Sequence, residues 1–331
     1  MRYGLPYKGS KNAIAEWIIT NLPAADTFCD LFMGGGAITH CAMKSGKYKH
    51  FVINDIDSRL PEFFIDCIHG KYTPESHTEW ITREEFNIRK ETDAYIALVW
   101  SFGNNGKDYL YGTDIEDIKH AYHNAVYFGD MSGLHRFGFK ISAPDQKGIY
   151  ERYRDIQRQI KAQIAGAQQE IIARQSEIER LQRLKNLQCS EALHGLSGLT
   201  HLKTAELKPY GIDYQAVPIP EGSLIYCDIP YLGTNCGKYV GFDHERFYQW
   251  AWEQDNIYIS EYRMPDDFIE VANISKSVLS ASNGNGNTAE EKIFTNRRTY
   301  DQLSPDVKER ISFDTAKQTT LFDMGYCPCE E

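Results

Sequence analysis

Residues 27–55 read TFCDLFMGGGAITHCAMKSGKYKHFVIND, and this stretch decides the fold. Thr27–Phe32 is an apolar run of strand length that enters three consecutive glycines, Gly34, Gly35 and Gly36. Glycine accepts positive φ and lets a ligand approach the backbone closely. Small residues at helical spacing follow over Ala37–Lys44, and a second apolar run, His50–Ile53, stops on Asn54 and Asp55. Strand, glycine loop, helix, strand and acid, in that order, open a nucleotide-binding α/β unit. The acid closing the second strand is placed to accept hydrogen bonds from ribose hydroxyls; a plain turn residue beside Asn54 is the other reading of Asp55. The glycines lack the G-x-G-x-x-G spacing of a pyrophosphate grip, so an adenosine ligand without phosphates, such as S-adenosylmethionine, fits better.

Working outward, Lys11–Leu22 has helical periodicity through Ile14, Trp17 and Ile18 and ends near Pro23. The α/β pattern resumes at Pro218. Ser223–Cys227 is a buried strand ending on Asp228-Ile229-Pro230-Tyr231, Phe247–Glu253 reads as helix and Ile257–Ser260 as strand. Val278–Ser280 and Lys292–Thr295 are late strands flanking the Gly/Asn-rich loop Asn283–Asn287. Between the halves, residues 150–188 carry Ile156, Ile160, Ile164, Ile171, Ile178 and Leu181 at spacings of three, four and seven. That is an amphipathic helix, or a helical hairpin broken at Gly166. Leu193, Leu196, Leu199 and Leu202 recur every three residues without specifying an element. One α/β domain, 1–106 and 216–331, is thus expected to be divided by a central insertion, 107–215.

With 42% hydrophobic and 13% aromatic residues the chain can bury a core, which excludes disorder over most of its length. The formal charge of −10 argues against a nucleic-acid partner only as a sum, because residues 131–185 hold eleven Lys/Arg against six Asp/Glu. Arg136, Lys140 and Lys147 precede the long helix in that basic interval and are candidate phosphate contacts; a solvated helical face is the alternative. Eight cysteines lack a metal-ligand spacing, so reduced thiols and no metal are expected. The N-terminus has no apolar signal core and no run reaches membrane-spanning length, which points to a soluble, cytoplasmic protein.

The second strand-end acid carries its own chemistry. Asp228 sits where open α/β sheets place ligands, beside a rigid Pro230 and the aromatic Tyr231. An exocyclic amine on a planar base is a poor nucleophile, because its lone pair is delocalised into the ring. Hydrogen bonds from its N–H groups to the Asp228 carboxylate and to a backbone carbonyl favour a pyramidal nitrogen. They also stabilise the positive charge that develops during attack on a methyl sulfonium. Tyr231 would stack on the base, a contact worth about 1–3 kcal/mol. An Asp-x-Pro-Tyr turn by itself is more often structural; the glycine loop and Asp55 upstream reverse that reading.

Several segments, taken in order, resemble the Dam-like adenine-N6 DNA methyltransferases of the α order. Tyr7-Lys8-Gly9-Ser10-Lys11 resembles the N-terminal cofactor motif, and Asp30-Leu31-Phe32-Met33-Gly34-Gly35-Gly36 the acid–Pro–Phe–x–Gly–x–Gly loop. Asn54-Asp55-Ile56 resembles the ribose-binding segment. Arg83-Glu84-Glu85-Phe86-Asn87 and Asn104-Asn105-Gly106 resemble shorter landmarks before the recognition region, and Ser223–Tyr231 the catalytic strand with its Asp-Pro-Pro-Tyr motif.

The resemblance implies a Rossmann-like methyltransferase sheet with helices on both faces, interrupted by a largely helical target-recognition insertion. It implies S-adenosylmethionine as cofactor, held by Tyr7, Lys11, Asp30, Phe32, Gly34, Gly36, Asp55 and Ile56. Asp228, Ile229, Pro230 and Tyr231 are the implied catalytic residues, and double-stranded DNA is the implied partner, with Asn105, Arg136, Lys140 and Lys147 as candidate contacts. The methyl group passes directly to an adenine flipped from the duplex, since N6 cannot be approached in line inside a stack. Ile229 stands where the family has its first Pro, Tyr7 where it has Trp, and Leu31 where it has Pro. Ile229 still offers a backbone carbonyl but loses a conformational lock. A cytosine-N4 enzyme meets the same acid and carbonyl, and a non-catalytic nucleic-acid-binding module with a vestigial cofactor pocket is the reading from another class. The 150–188 helix is expected to pack on the chain, on itself or across a homodimer.

Overall fold

The computed structural model describes residues 3–144, 148–170, 184–202, 206–232, 241–278 and 287–309. It forms two compact units. One comprises Met1–Ala13, Gly34–His40 and Asp57–Ala205; the other comprises Ile14–Met33, Cys41–Ile56 and Glu206–Glu331.

The second unit is built on a seven-stranded sheet. Its strands in chain order are β1 Thr27–Asp30, β2 His50–Asn54, β3 Glu206–Tyr210, β4 Leu224–Asp228, β5 Ile257–Glu261, β6 Ile269–Val278 and β7 Asn287–Thr295, arranged β3-β2-β1-β4-β5-β7-β6. The first five run parallel, and β7 lies antiparallel between β5 and β6. This is the Rossmann-like α/β sheet expected from the sequence, closed by an antiparallel pair. Parallel strands covered on both faces read as continuous apolar runs rather than alternation. Accordingly β1 and β5 are buried at every position, and β4 at all but its last. One face packs Cys29, Val52, Ile225, Cys227, Ile257 and Ile259 with Phe247 and Ala251 of the helix His244–Glu253. Phe28, Phe51, Tyr226 and Tyr258 alternate with them along the same strands and are also buried. From β1 the chain winds outward through β2 to β3, then restarts at β4 and winds the other way to β5. The reversal therefore falls between β1 and β4, and ligands bind at the carboxyl ends of the strands flanking such a switch point.

The first unit is helical. The helix Ala94–Val99 is buried along its whole length, and Glu116–Phe128 buries eight residues. The long helix Ile149–Glu170 continues through Gly166 without the break allowed at that position. Its stripe is spent inside the unit: Tyr153, Ile156, Ile160 and Ile164 are all buried, while Ile171 and Ile178 lie outside the described residues. Leu193–Leu202 resolves into an α-helix, Gln188–Ser197, followed by a 3-10 turn, Gly198–Leu202, whose three-residue period matches the leucine spacing. Polar groups tie these helices together. The Tyr153 hydroxyl donates to Glu191, and the buried Lys119 ammonium donates to the carbonyl of Asn186. No helix among the described residues is long and apolar enough to cross a membrane.

Candidate active site

Three acids mark the carboxyl ends of three adjacent strands in the sheet unit. Asp55 follows β2, Asp30 closes β1 and Asp228 closes β4. Register fixes their relation: Asp30 pairs with Ile53 on one side and Tyr226 on the other, each two residues short of Asp55 and Asp228. Beyond the strands the backbone stays tied, Leu31 N–H donating to Tyr226 O at 3.1 Å and Met33 N–H to Asn54 O at 2.9 Å. Asn54 is the clamp. Its Nδ2 donates to Leu31 O at 3.0 Å and Ile212 O at 3.1 Å, while its Oδ1 accepts Ile212 N–H at 3.1 Å. One buried amide thus joins the segments after β1, β2 and β3 and sets Asp55 in place. Asp30 and Asp55 are buried, Asp228 is half-buried, and the apolar side chains of Ile56, two residues after the clamp, and Ile212, bonded to it through its backbone, are exposed. Phe32 turns into an aromatic cluster with Tyr214, Phe242 and Phe247, at ring separations of 5.3–5.8 Å.

In the other unit, sequence-distant segments meet at the glycines. Gly34 and Gly36 have φ of +48° and +68°, which disfavours any side chain there. Leu5 N–H donates to Gly35 O at 2.7 Å. The Tyr7 ring lies so close that a Cβ added to Gly35 would come within 2.5 Å of the Tyr7 Cβ, and one on Gly34 within 3.0 Å of the ring. His40 holds the same segment from behind, its Nδ1 accepting Gly4 N–H at 3.0 Å. Lys11 begins a short 3-10 turn, Lys11–Ala13, and is half-buried.

The turn after β4 is held at three successive residues. Pro230 O accepts from His244 Nε2 at 2.7 Å, the Tyr231 hydroxyl donates to Glu291 Oε2 at 2.8 Å, and Leu232 N–H donates to Glu261 Oε2 at 3.0 Å. Tyr231 also meets the edge of Tyr262, with ring centres 4.5 Å apart. Burial, reinforced by the nearby Asp228 charge, pushes the Tyr231 phenol well above its ordinary range, so it remains a neutral donor. Burial likewise raises the Glu261 carboxyl, opposed by its two backbone donors, Tyr262 and Leu232. His244, Glu261, Glu291, Asn54 and Ile212 were not picked out as site residues in the sequence. Glu261 had a signal, since it ends an apolar strand just as Asp228 does; Glu291 had none.

The residues expected at DNA fall in the helical unit. Asn105 shapes a tight turn, its Nδ2 donating to Asp108 and its Oδ1 accepting the amides of Lys107 and Asp108. Lys140 and Ser142 lie along the long helix, where Gln163 and Gln159 each bond both backbone groups of one residue. This ladder leaves the Arg136 and Lys140 side chains exposed. Lys147 lies outside the described residues.

Residues 7–181, more than half of the chain, match a family model described as D12 class N6 adenine-specific DNA methyltransferase. No curated protein matches the chain. The turn Asp228–Tyr231 lies beyond the matched residues.

Proposed function

The chain belongs to the D12 class of N6 adenine-specific DNA methyltransferases, and from that premise we propose how its residues share the work. The enzyme methylates the exocyclic N6 of adenine in DNA. We assign S-adenosylmethionine as the methyl donor, which supplies an electrophilic methyl sulfonium when bound.

The residues present suit that group. Asp55, buried at the end of β2, accepts hydrogen bonds from the ribose hydroxyls, and the exposed Ile56 and Ile212 offer apolar surface to an adenine ring. Asp30 and Phe32 shape the loop leaving β1. Gly34 and Gly36 hold the loop at positive φ, with the Tyr7 side chain packed so closely on Gly34 and Gly35 that a Cβ at either would meet it, and Tyr7 and Lys11 take the methionine end, as in the family motif.

In the catalytic turn, the Asp228 carboxylate and the Ile229 carbonyl accept the two N6–H groups of a flipped adenine, holding the amine pyramidal. His244 occupies the neighbouring Pro230 carbonyl, which leaves the acceptor role to Ile229. Pro230 stiffens the turn and Tyr231 stacks on the base. The residues 1–106 and 216–331 carry cofactor and chemistry, extended by 206–215 because β3 and Ile212 belong with the sheet, and the rest of 107–215 reads the DNA, with Arg136, Lys140 and Lys147 on phosphates and Asn105 shaping a turn at the duplex. A homodimer through the 150–188 helix would have to use its charged faces, where Arg154, Arg158 and Lys161 are exposed, because Ile156, Ile160 and Ile164 are buried within the chain. We place the enzyme in the cytoplasm.

The observation that carries this reading is the row of strand-end acids at the sheet's switch point. Calorimetric titration with S-adenosylmethionine tests it: one site per chain is expected. No binding, with or without duplex DNA, would overturn it.

A further inference from the structure

We propose that Glu291 is a positioning residue for methyl transfer, acting through the hydroxyl of Tyr231. The inference rests on the assignment of Asp228–Tyr231 as the catalytic turn. Sheet register places Glu291 where such a role requires it. Asp228 pairs with Ser260, Ser260 with Ile293, and Glu261 with Lys292, so Glu291 lies one residue further along β7, past the end of β5. Its backbone is fixed on the other side by pairing with Ile274 of β6. The carboxylate is mostly buried and accepts the Tyr231 hydroxyl at 2.8 Å.

A ring whose only task is to stack needs no hydroxyl; this one is anchored by it. The bond fixes the far end of the ring, and the edge contact with Tyr262 at 77° limits its tilt. Two constraints, one from β7 and one from the residue just past β5, therefore set the plane on which an adenine must lie before its N6 can face Asp228. A stacking surface held in advance lowers the entropy lost when the base arrives. Since burial keeps the phenol protonated, Tyr231 stays a donor to the carboxylate across the working range. Glu261 anchors the same turn one residue later through the backbone of Leu232, so the ring's orientation depends on Glu291 while the chain path does not.

The test compares Glu291→Ala, Glu291→Gln, Tyr231→Phe and the double variant Tyr231→Phe/Glu291→Ala in the full chain. Each is measured for single-turnover transfer of labelled methyl from S-adenosylmethionine to plasmid DNA and for cofactor affinity. A lost hydrogen bond to a charged group is commonly worth a factor of about ten or more. Glu291→Ala is expected to slow the transfer step about tenfold with cofactor affinity unchanged. Glu291→Gln, which keeps an acceptor of the same length, should stay within about threefold of the unmodified enzyme. Tyr231→Phe should match Glu291→Ala, and the double variant should be no slower than Tyr231→Phe, because the two changes remove one interaction. Full activity in Glu291→Ala, or additive losses in the double variant, would overturn the proposal. Should Glu291→Ala not fold, Glu291→Gln and Tyr231→Phe preserve shape, and a large loss in the former with none in the latter overturns it equally. Asp228→Ala, run in parallel, separates the two levels: if it still turns over, the catalytic assignment has failed, whereas an inactive Asp228→Ala beside a fully active Glu291→Ala rejects Glu291 alone.

Discussion

Asn54→Ala removes the amide that joins the segments following β1, β2 and β3. Three side-chain hydrogen bonds are lost, to Leu31 O, Ile212 O and Ile212 N. At about 1 kcal/mol net for each bond, the loss is about 3 kcal/mol. Water can reach part of Ile212, which is 38% exposed, but not the region of Leu31, which is 1% exposed, so the carbonyl of Leu31 keeps its full desolvation cost. Asn54→Asp is the sharper variant. It keeps an acceptor for Ile212 N–H but turns a carboxylate oxygen toward two carbonyls that had a donor. Its folded pKa is therefore raised above the unfolded value, and the penalty grows as pH rises through the ordinary carboxylate range. Urea unfolding should show Asn54→Ala destabilised by about 3 kcal/mol, and Asn54→Asp more so at neutral pH but recovering toward pH 4. Amide exchange should quicken at Ile212 in Asn54→Ala, which loses the acceptor. Stability within about 1 kcal/mol of the parent, with unchanged exchange at Ile212, would refute the clamp.

Asp55→Ala should weaken S-adenosylmethionine by roughly 1.5–3 kcal/mol, the loss of a charged acceptor for the ribose, and unchanged calorimetric affinity would place the cofactor elsewhere. Lys119 is fully buried and burial lowers its ammonium to about 8 from 10.5. The unfolded chain thus binds the proton more tightly, so this lysine costs stability below pH 8, and the cost fades as pH rises toward 10.5. Lys119→Met orphans the Asn186 carbonyl at every pH but removes the proton-linked cost, so its stability relative to the parent should improve by about 3 kcal/mol between pH 10.5 and pH 7; a pH-independent difference in chemical denaturation would count against it. Charge reversal at Arg136 and Lys140 should reduce the salt dependence of DNA binding by about one unit of slope per lost phosphate contact, read from affinities at several salt concentrations. An intact slope would remove both from the interface.

Much of the sheet was legible because its strands are short, apolar and closed by acids or glycines. Thr27–Asp30, His50–Asn54, Leu224–Asp228 and Ile257–Glu261 all fall on runs that buried parallel strands require. β3 was not legible. Glu206–Tyr210 includes Lys208 and Pro209 and is buried at none of its five positions, so an edge strand there carries no hydrophobic pattern. The late hairpin is longer than the apolar residues around Lys292–Thr295 suggest, because backbone pairing of β6 with β7 carries it through Glu290 and Ser275. The long helix was legible as amphipathic, while the partner of its stripe was not, since burial against the chain's own helices and burial across an interface leave the same periodicity. The acids of the site could be read as strand ends. Glu291 could not, because its position depends on an antiparallel register that only tertiary structure sets.

We propose that the Asp228 turn directs methyl transfer to adenine N6. Nucleoside analysis of duplex DNA incubated with the enzyme and labelled S-adenosylmethionine tests this most directly, with Asp228→Ala alongside. The unmodified protein should yield N6-methyladenine. The folded variant should lose at least the roughly 10²–10³ in rate that one preorganised polar contact supplies. Label in N4-methylcytosine, or N6-methyladenine formed at a comparable rate by Asp228→Ala, would contradict it.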